Sequence, residues 1–543
     1  MRKRALMPTV RDASFDVLRL HGLTTMFANP GSTEVSFLSD LPDDLDFVLA
    51  LHEGSVVGAA TGWAIARDEP ALVLLHTTAG LGNAVGALAT ARANRVPLVV
   101  LVGQQDRRHL AQEPFLTGRL EGLAGDYPVS VQTPARAQDV PGAIGRAVHA
   151  ARTWRGPALV IVPMNDWAEP AEELPVPAPA VLRHAATSDP AAVAEVAGLL
   201  ARAEAPALVV GAGTDSAEAW AALTALAERL NCPVWQDPFG SRAGFPQDHR
   251  LFAGHLPADR ARLREALAPN DLVLAVGAPF LRQYPYGQGP LTEPGTRVAV
   301  VTDDPAEAHR APADLAVVTP LPDFCDRLAR RVPPRESGEP RSVRPSAPAR
   351  LRPTPPGPGQ PLRAAHVLAA LASSLPAETV IVEETPSSRP DLHALLPARR
   401  PLGFLSAAMG GLGFAMPAAV GLRMGQPRRP VVAVVGDGSS LYQAQSLWTA
   451  AHYGVGVVFV VLANGRYAIM DQLAEQHGGK APWPAFEEVS VSGLAESLGC
   501  PARRITSYSE LLAALDDIVP TLGSRAEPLV LDVTVAPDLK PHA

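Results

Sequence analysis

The sequence predicts an α/β protein of three doubly wound parallel-sheet domains. Three observations carry that prediction. Short apolar, β-branched runs alternate with helix-length segments along the whole chain. Uniformly apolar strands are those buried on both faces of a parallel sheet. Two Pro-rich stretches, EELPVPAPAVL and PPRESGEPRSVRPSAPARLRPTPPGPGQP, divide the chain, and the second is too rich in proline and charge to fold alone. The outer segments also look alike. LVLLHTTAGLGNAVGALATARANRVPLVVLVG has the strand, glycine turn, helix, strand form of VVAVVGDGSSLYQAQSLWTAAHYGVGVVFVVLAN.

The elements follow in order. Residues 1–172 form the first domain, with strands at Asp46–Leu51, Leu72–Leu75, Leu98–Val102 and Ala158–Val162. Residues 186–332 form the second, with strands at Ala207–Val210, Leu272–Val276 and Val298–Val301. Gly211-Ala212-Gly213 follows the first of these. It lacks the third glycine of a dinucleotide fingerprint, so an ordinary turn is preferred and no FAD is expected. Residues 333–361 are a linker. Residues 362–536 form the third domain, with strands at Val431–Val435 and Val455–Val461 around a helix at Leu441–Tyr453.

Composition narrows the function. The chain has 543 residues, 47% of them hydrophobic, enough for three sizeable cores. Its net charge of −8 gives no electrostatic reason to bind nucleic acid or an anionic membrane. No apolar run reaches membrane-spanning length, and MRKRALMPTVRD has no apolar segment of a signal peptide. Cys232, Cys325 and Cys500 lack metal-ligand spacing and read as reduced thiols of a cytoplasmic protein.

The most informative stretch is Val431–Tyr467. It reads as buried strand, Gly436-Asp437-Gly438-Ser439 turn, helix, buried strand, Asn464-Gly465 turn. A right-handed crossover puts both carboxyl ends on one sheet edge. Asp437 and Asn464 then emerge side by side, 27 residues apart in sequence. Two hard oxygen donors beside a helix amino end suit a divalent cation with a diphosphate. This arrangement resembles the cofactor motif of the thiamine diphosphate enzymes.

A second motif agrees. His52-Glu53-Gly54 ends a strand before the small-residue helix SVVGAATGWAIARD. It resembles that family's activating glutamate, which shifts the tautomer of the cofactor's pyrimidine ring. Low-polarity surroundings are expected to help Glu53 share a proton. Read alone, Glu53 is an ordinary helix N-terminal acid.

Four further segments resemble the benzoylformate decarboxylase branch: Asn29-Pro30-Gly31-Ser32-Thr33-Glu34, Leu75-His76-Thr77-Thr78-Ala79-Gly80, Gly103-Gln104-Gln105 and the run from Ala408 to Pro417. The resemblance implies thiamine diphosphate with Mg²⁺, a 2-oxo acid substrate and a shared site between subunits, hence a homodimer and commonly a homotetramer. It implies that Ser32 binds the substrate carboxylate and that His76 moves protons, for which its pKa is suited. Gly410 would accept the pyrimidine amino group and Leu412 would prop the cofactor. Asp437, Asn464 and the Arg466 carbonyl would bind Mg²⁺. Thr385, Ser387, Gly436, Gly438, Ser439 and Tyr467 would contact the cofactor. Phe115, Leu116, Ile469, Met470 and Leu473 would line the side-chain pocket. Read alone, Ser32 is equally a turn residue, and Phe115 and Met470 are more often core than pocket.

One departure stands out. The branch carries a second pocket histidine soon after a Gly-Ala-Pro strand end. Here Tyr284 falls at about that place, and a tyrosine is a poor proton shuttle near neutral pH. Slow protonation at the reacting carbon would favour joining to a second carbonyl. The leading expectation is therefore decarboxylation of an aryl or bulky 2-oxo acid to an aldehyde. Carboligation to acyloin or acetolactate-type products is the alternative, and a non-catalytic cofactor-binding homologue is an alternative of another class.

Overall fold

The computed structural model describes residues 7–172, 185–279, 282–335, 353–357 and 359–537. Most of the expected linker, residues 336–352, lies outside the described residues, as does the stretch 173–184.

Three six-stranded sheets form, and every strand pairing within them is parallel. The first holds β1 (Thr25–Asn29), β2 (Asp46–Leu49), β3 (Ala71–Leu75), β4 (Leu98–Gln104), β5 (Ser130–Gln132) and β6 (Pro157–Pro163). Its order is β2-β1-β3-β4-β6-β5. The second holds β7 (Pro206–Val210), β8 (Val234–Gln236), β9 (Phe252–His255), β10 (Leu272–Val276), β11 (Arg297–Thr302) and β12 (Leu315–Val318), in the order β12-β11-β10-β7-β8-β9. The third holds β13 (Val380–Glu384), β14 (Phe404–Ser406), β15 (Val431–Gly436), β16 (Val458–Ala463), β17 (Ala502–Ile505) and β18 (Leu529–Thr534), in the order β14-β13-β15-β16-β18-β17. Strand for strand, the third sheet repeats the topology of the first. The apolar runs are buried throughout, as in Ala71–Leu75, Leu98–Gln104 and Val431–Val435.

The middle sheet has the strand order of dinucleotide-binding folds. Its Gly211–Gly213 turn nevertheless packs backbone to backbone on the neighbouring strand end. Gly213 N–H donates to Gly277 O at 2.9 Å, and a Cβ at Gly211 would lie 2.8 Å from Ala278 Cα.

Two expected elements differ. The helix expected at Leu441–Tyr453 is shortened to Ser446–His452, and a separate single turn, Asp437–Ser440, precedes it. The intervening Tyr442 and Gln443 pack on Gly413, and Gln443 accepts a 2.7 Å bond from the Ser55 hydroxyl, so tertiary contacts override local helix propensity. The strand expected from Val455 starts at Val458, because Val455 and Val457 form a tight turn after the helix.

The outer domains dock through two matching helices, Glu53–Arg67 after β2 and Ala415–Gly425 after β14. The contact is reciprocal. A Cβ at Gly62 would lie 1.9 Å from Ala418 O, and one at Gly421 would lie 1.7 Å from Ala59 O. Only glycine lets the two backbones approach this closely.

Candidate active site

The carboxyl edge of the third sheet gathers the motif residues. β15 and β16 are paired with Gly436 opposite Leu462, so Asp437 and Asn464 leave adjacent strand ends. Asp437 is 6% exposed. Its Oδ1 accepts from Gly438 N–H at 2.8 Å and its Oδ2 from Gly465 N–H at 2.6 Å. Burial raises its carboxyl above the ordinary range, against the pull of those backbone donors. A bound cation would reverse that balance. Asn464 Oδ1 accepts from Arg466 N–H at 3.0 Å, which aims the amide oxygen back into its own turn. No group of three or more His, Cys, Asp or Glu side chains suited to a metal occurs among the described residues.

The surrounding turns are held by buried carboxylates that sequence reasoning missed. Glu383 pairs with Arg389 at 2.9 Å and accepts from Thr385 N–H at 2.6 Å and from the Thr385 hydroxyl at 3.1 Å. The Thr385 side chain is therefore committed to the frame of its turn. Ser387 Oγ accepts from Ile469 N–H at 3.0 Å and ties that turn to the helix Ala468–Gln476. Glu384 accepts from the N–H groups of Gly413, Phe414 and Ala415, each at 2.7 Å. It thereby caps the helix that follows Gly410 and Leu412, and burial pushes its carboxyl up to about 7 despite these bonds. Asn94 fixes the other end of the same loop, giving a 3.0 Å bond to Ser406 O and accepting one of 2.7 Å from Ala408 N–H. Gly410 itself is exposed, and Leu412 is half-buried. Tyr467 packs against Phe486 with ring centroids 5.0 Å apart and planes tilted by 59°, and both rings abut Gly438.

The carboxyl edge of the first sheet carries the second group. Glu53 opens its helix and is 7% exposed. Its setting is not of low polarity, contrary to expectation. Asn29 Nδ2 donates to Oε1 and Asn83 Nδ2 to Oε2, each at 3.1 Å. Both amides lie inside quoted motifs, but nothing in the sequence pairs them with Glu53. β1 and β3 are neighbours, with Asn29 opposite Leu75, so the loop holding Ser32 meets His76. Ser32 is exposed, and His76 is half-buried against Thr33 and Glu34.

The expected pocket residues have large exposed surfaces. Phe115 is 87% exposed, Tyr284 73% and Met470 43%. Leu116, Ile469 and Leu473 are also reachable from solvent. Phe115 and Leu116 sit in a loop tied by Gln104 to Gly118, which abuts Thr78 beside His76. Arg466 pairs with Asp471 at 2.8 Å, and Trp483 donates to Asp471 at 3.0 Å, bracing the helix that carries Ile469 and Met470.

Comparison with known proteins matches this geometry. Residues 8–121 match the N-terminal TPP binding domain of thiamine pyrophosphate enzymes, residues 193–328 their central domain and residues 387–533 their C-terminal TPP binding domain. The chain is 38% identical to a benzoylformate decarboxylase of Pseudomonas aeruginosa over 527 residues, 94% of this chain and 96% of that protein.

The chain belongs to the thiamine pyrophosphate enzymes.

Among members of solved structure, a thiamine diphosphate-dependent 4-hydroxybenzoylformate decarboxylase of Rhodococcus jostii superposes with a TM-score of 0.91 at 34% identity, covering 98% of this chain and 100% of that one. A benzoylformate decarboxylase of Polynucleobacter necessarius does so with the same score and identity, covering 99% and 100%. A putative acetolactate synthase large subunit of Mycobacterium tuberculosis is 30% identical over 554 residues, 98% of each chain.

Proposed function

We propose that this thiamine pyrophosphate enzyme is a Mg²⁺-dependent, non-oxidative decarboxylase that converts an aryl or bulky 2-oxo acid to an aldehyde and CO₂. The observation that carries the reading is the pairing of a buried Asp437 beside Asn464 on one sheet edge with a buried, hydrogen-bonded Glu53 on another, in a chain so similar to a benzoylformate decarboxylase along its length. Bound thiamine diphosphate supplies the sink for the electron pair left when CO₂ departs.

The chain's own groups take the remaining roles. Asp437, the Asn464 amide oxygen and the Arg466 carbonyl would hold Mg²⁺. Gly436, Gly438, Ser439, Tyr467, Thr385 and Ser387 would frame the diphosphate, Thr385 by holding its turn in shape through Glu383. Glu53 would hold a proton at the pyrimidine ring, with Gly410 and Leu412 seating that ring. Ser32 would orient the substrate carboxylate, and His76 would carry a proton at the reacting carbonyl. Phe115, Leu116, Tyr284, Ile469, Met470 and Leu473 would close the pocket to water. FAD has no part in this reading, since the Gly211–Gly213 turn lacks the third glycine of a dinucleotide fingerprint.

The reading calls for a homodimer as the active unit, within a homotetramer. Exposed Phe115, Tyr284, Tyr286, Met409, Tyr442 and Met470 support it, because large apolar groups left open to water suit a covering partner. No helix among the described residues is long and apolar enough to cross a membrane. A cytoplasmic setting is supported by Cys232, Cys325 and Cys500, which are buried free thiols.

A second reading, carboligation, is favoured by Tyr284 at the expected histidine position and by the similarity to an acetolactate synthase-like protein. One assay separates them. Purified protein with thiamine diphosphate and Mg²⁺ is given benzoylformate or pyruvate, and CO₂ and products are measured. Free aldehyde with CO₂ is expected. Acyloin as the main product establishes the second reading, and no CO₂ from any of a panel of 2-oxo acids overturns both.

A further inference from the structure

We propose that Glu34 is a positioning residue that fixes His76 with its proton on Nδ1, leaving Nε2 as the atom that exchanges protons in the pocket. The proposal rests on the reading of His76 as the proton carrier.

The hydrogen-bond inventory makes the argument. His76 Nδ1 lies 3.0 Å from Glu34 Oε2 and 2.9 Å from Thr33 Oγ1. Glu34 is only 1% exposed. Its other contacts are donors: Gly31 N–H reaches Oε2 at 2.8 Å, and the Thr33 hydroxyl donates to Oε1. A hydroxyl has one proton. Thr33 spends it on Glu34, so its oxygen can only accept from His76. An ionised carboxylate also only accepts. Both neighbours of Nδ1 are then acceptors, and Nδ1 carries the hydrogen. The neutral ring keeps its lone pair on Nε2, and when the ring becomes charged the same carboxylate stabilises it. A carboxylate on one ring nitrogen sets the tautomer and orientation of the other. Only a protonated Glu34 would reverse the assignment.

The backbone is shaped around this pair. A Cβ at Gly31 would lie 2.5 Å from the His76 ring. One at Gly103 would lie 1.7 Å from Glu34 Oε1 and 2.5 Å from Thr33 Oγ1. Glycine at 31 and at 103 thus leaves the space that His76, Thr33 and Glu34 occupy. The His76 side chain keeps 14% of its surface, so the ring is held without being sealed.

Two measurements test the proposal. In the wild-type holoenzyme labelled with ¹⁵N-histidine, with His76→Ala used to assign the signal, the neutral His76 ring should show a protonated Nδ1 and a bare Nε2. The opposite tautomer overturns the proposal, and this readout needs no Glu34 variant to fold. The second is a double-mutant cycle on turnover. Glu34→Gln should lower kcat by roughly tenfold to a hundredfold, the scale of one misoriented proton-transfer group, while KM moves less than about threefold. In the His76→Ala background the same change should move kcat less than about twofold. If His76→Ala is impaired but Glu34→Gln multiplies with it independently, the positioning role is overturned alone. If His76→Ala turns over like wild type, the proton-carrier reading falls and the proposal falls with it.

Discussion

Gly62→Ala is a single methyl whose sign can be worked out from the structure. In a helix interior the change ordinarily stabilises, by about 1 kcal/mol. At Gly62 the new Cβ would stand 1.9 Å from the Ala418 carbonyl oxygen. An ordinary contact needs roughly 3.4–3.5 Å, so the gap is short by about 1.5 Å. Alanine has no rotamer to relieve it, and the obstacle is backbone. The helices Glu53–Arg67 and Ala415–Gly425 must move apart. A radial gap of about 0.5–1 Å already forfeits a quarter to a half of each dispersion well along the interface, and overpacking typically costs about 1–3 kcal/mol. The obstacle is backbone, which puts the cost at the upper end, about 3 kcal/mol; about 2 kcal/mol of net destabilisation remains after the propensity gain, or a fall in Tm of roughly 4–8 °C. The control is Gly145→Ala, also within a helix, where the added Cβ meets only His21 at 3.7 Å. It should be neutral or slightly stabilising. Thermal unfolding of both variants decides the matter. A Gly62→Ala protein as stable as Gly145→Ala would show that the reciprocal glycine contact does not hold the outer domains together.

Three further outcomes follow from the site and the domain contacts. Glu53→Gln should keep cofactor binding by calorimetry but lose at least about a hundredfold in turnover; its amide also turns a donor toward Asn29 or Asn83, costing about 1 kcal/mol in a melt, and near-wild-type turnover removes Glu53 from the mechanism. Asp437→Ala should abolish the Mg²⁺ dependence of thiamine diphosphate affinity, since it deletes the one carboxylate of the site; calorimetry with unchanged affinity sinks the metal assignment. His393 stacks on His255 with centroids 3.7 Å apart, and burial lowers its pKa to about 3. A histidine buried neutral contributes stability above its unfolded pKa near 6.5 that is lost as pH falls toward the folded value. His393 alone should therefore remove about 2 kcal/mol by pH 5, and His393→Phe should flatten the fall in Tm between pH 7 and pH 5; an unchanged pH slope refutes the assignment.

The fold was legible because it rests on buried strands. Val431–Val435, Leu98–Val102 and Leu272–Val276 are apolar on both faces, and only a covered parallel sheet uses such runs. The strand order was not legible, since β-branched runs carry no information about which neighbour they pair with. The likeness of the outer segments was visible at one crossover and proves to extend over the whole topology. At the site, Asp437, Asn464 and Glu53 were readable because strand ends and turns fix them locally. Their supports were not. Glu384 acts on residues about thirty positions on, Asn83 reaches thirty positions back to Glu53, and Asn94 clamps a loop over three hundred positions away. Gln443 was misread as plain helix because its partner, Ser55, lies in another domain.

The repeated topology explains why the chemistry divides as it does. The same strand order places a loop after the second strand and a helix behind it in both outer domains, at Glu53 and at Ala415. In one copy that loop delivers a carboxylate. In the other it delivers the exposed Gly410 backbone, while the turn after the third strand delivers Asp437 where the first domain has His76. The scaffold does not dictate either choice. It dictates only that each carboxyl edge presents two adjacent turns beside a docking helix. Gly62 and Gly421 hold those helices at one separation, so the two domains that carry these edges are set against each other by this contact. Substitutions at this helix pair should therefore disturb the geometry of both edges together, whereas substitutions at Glu53 or Asp437 remove one function and leave the frame intact.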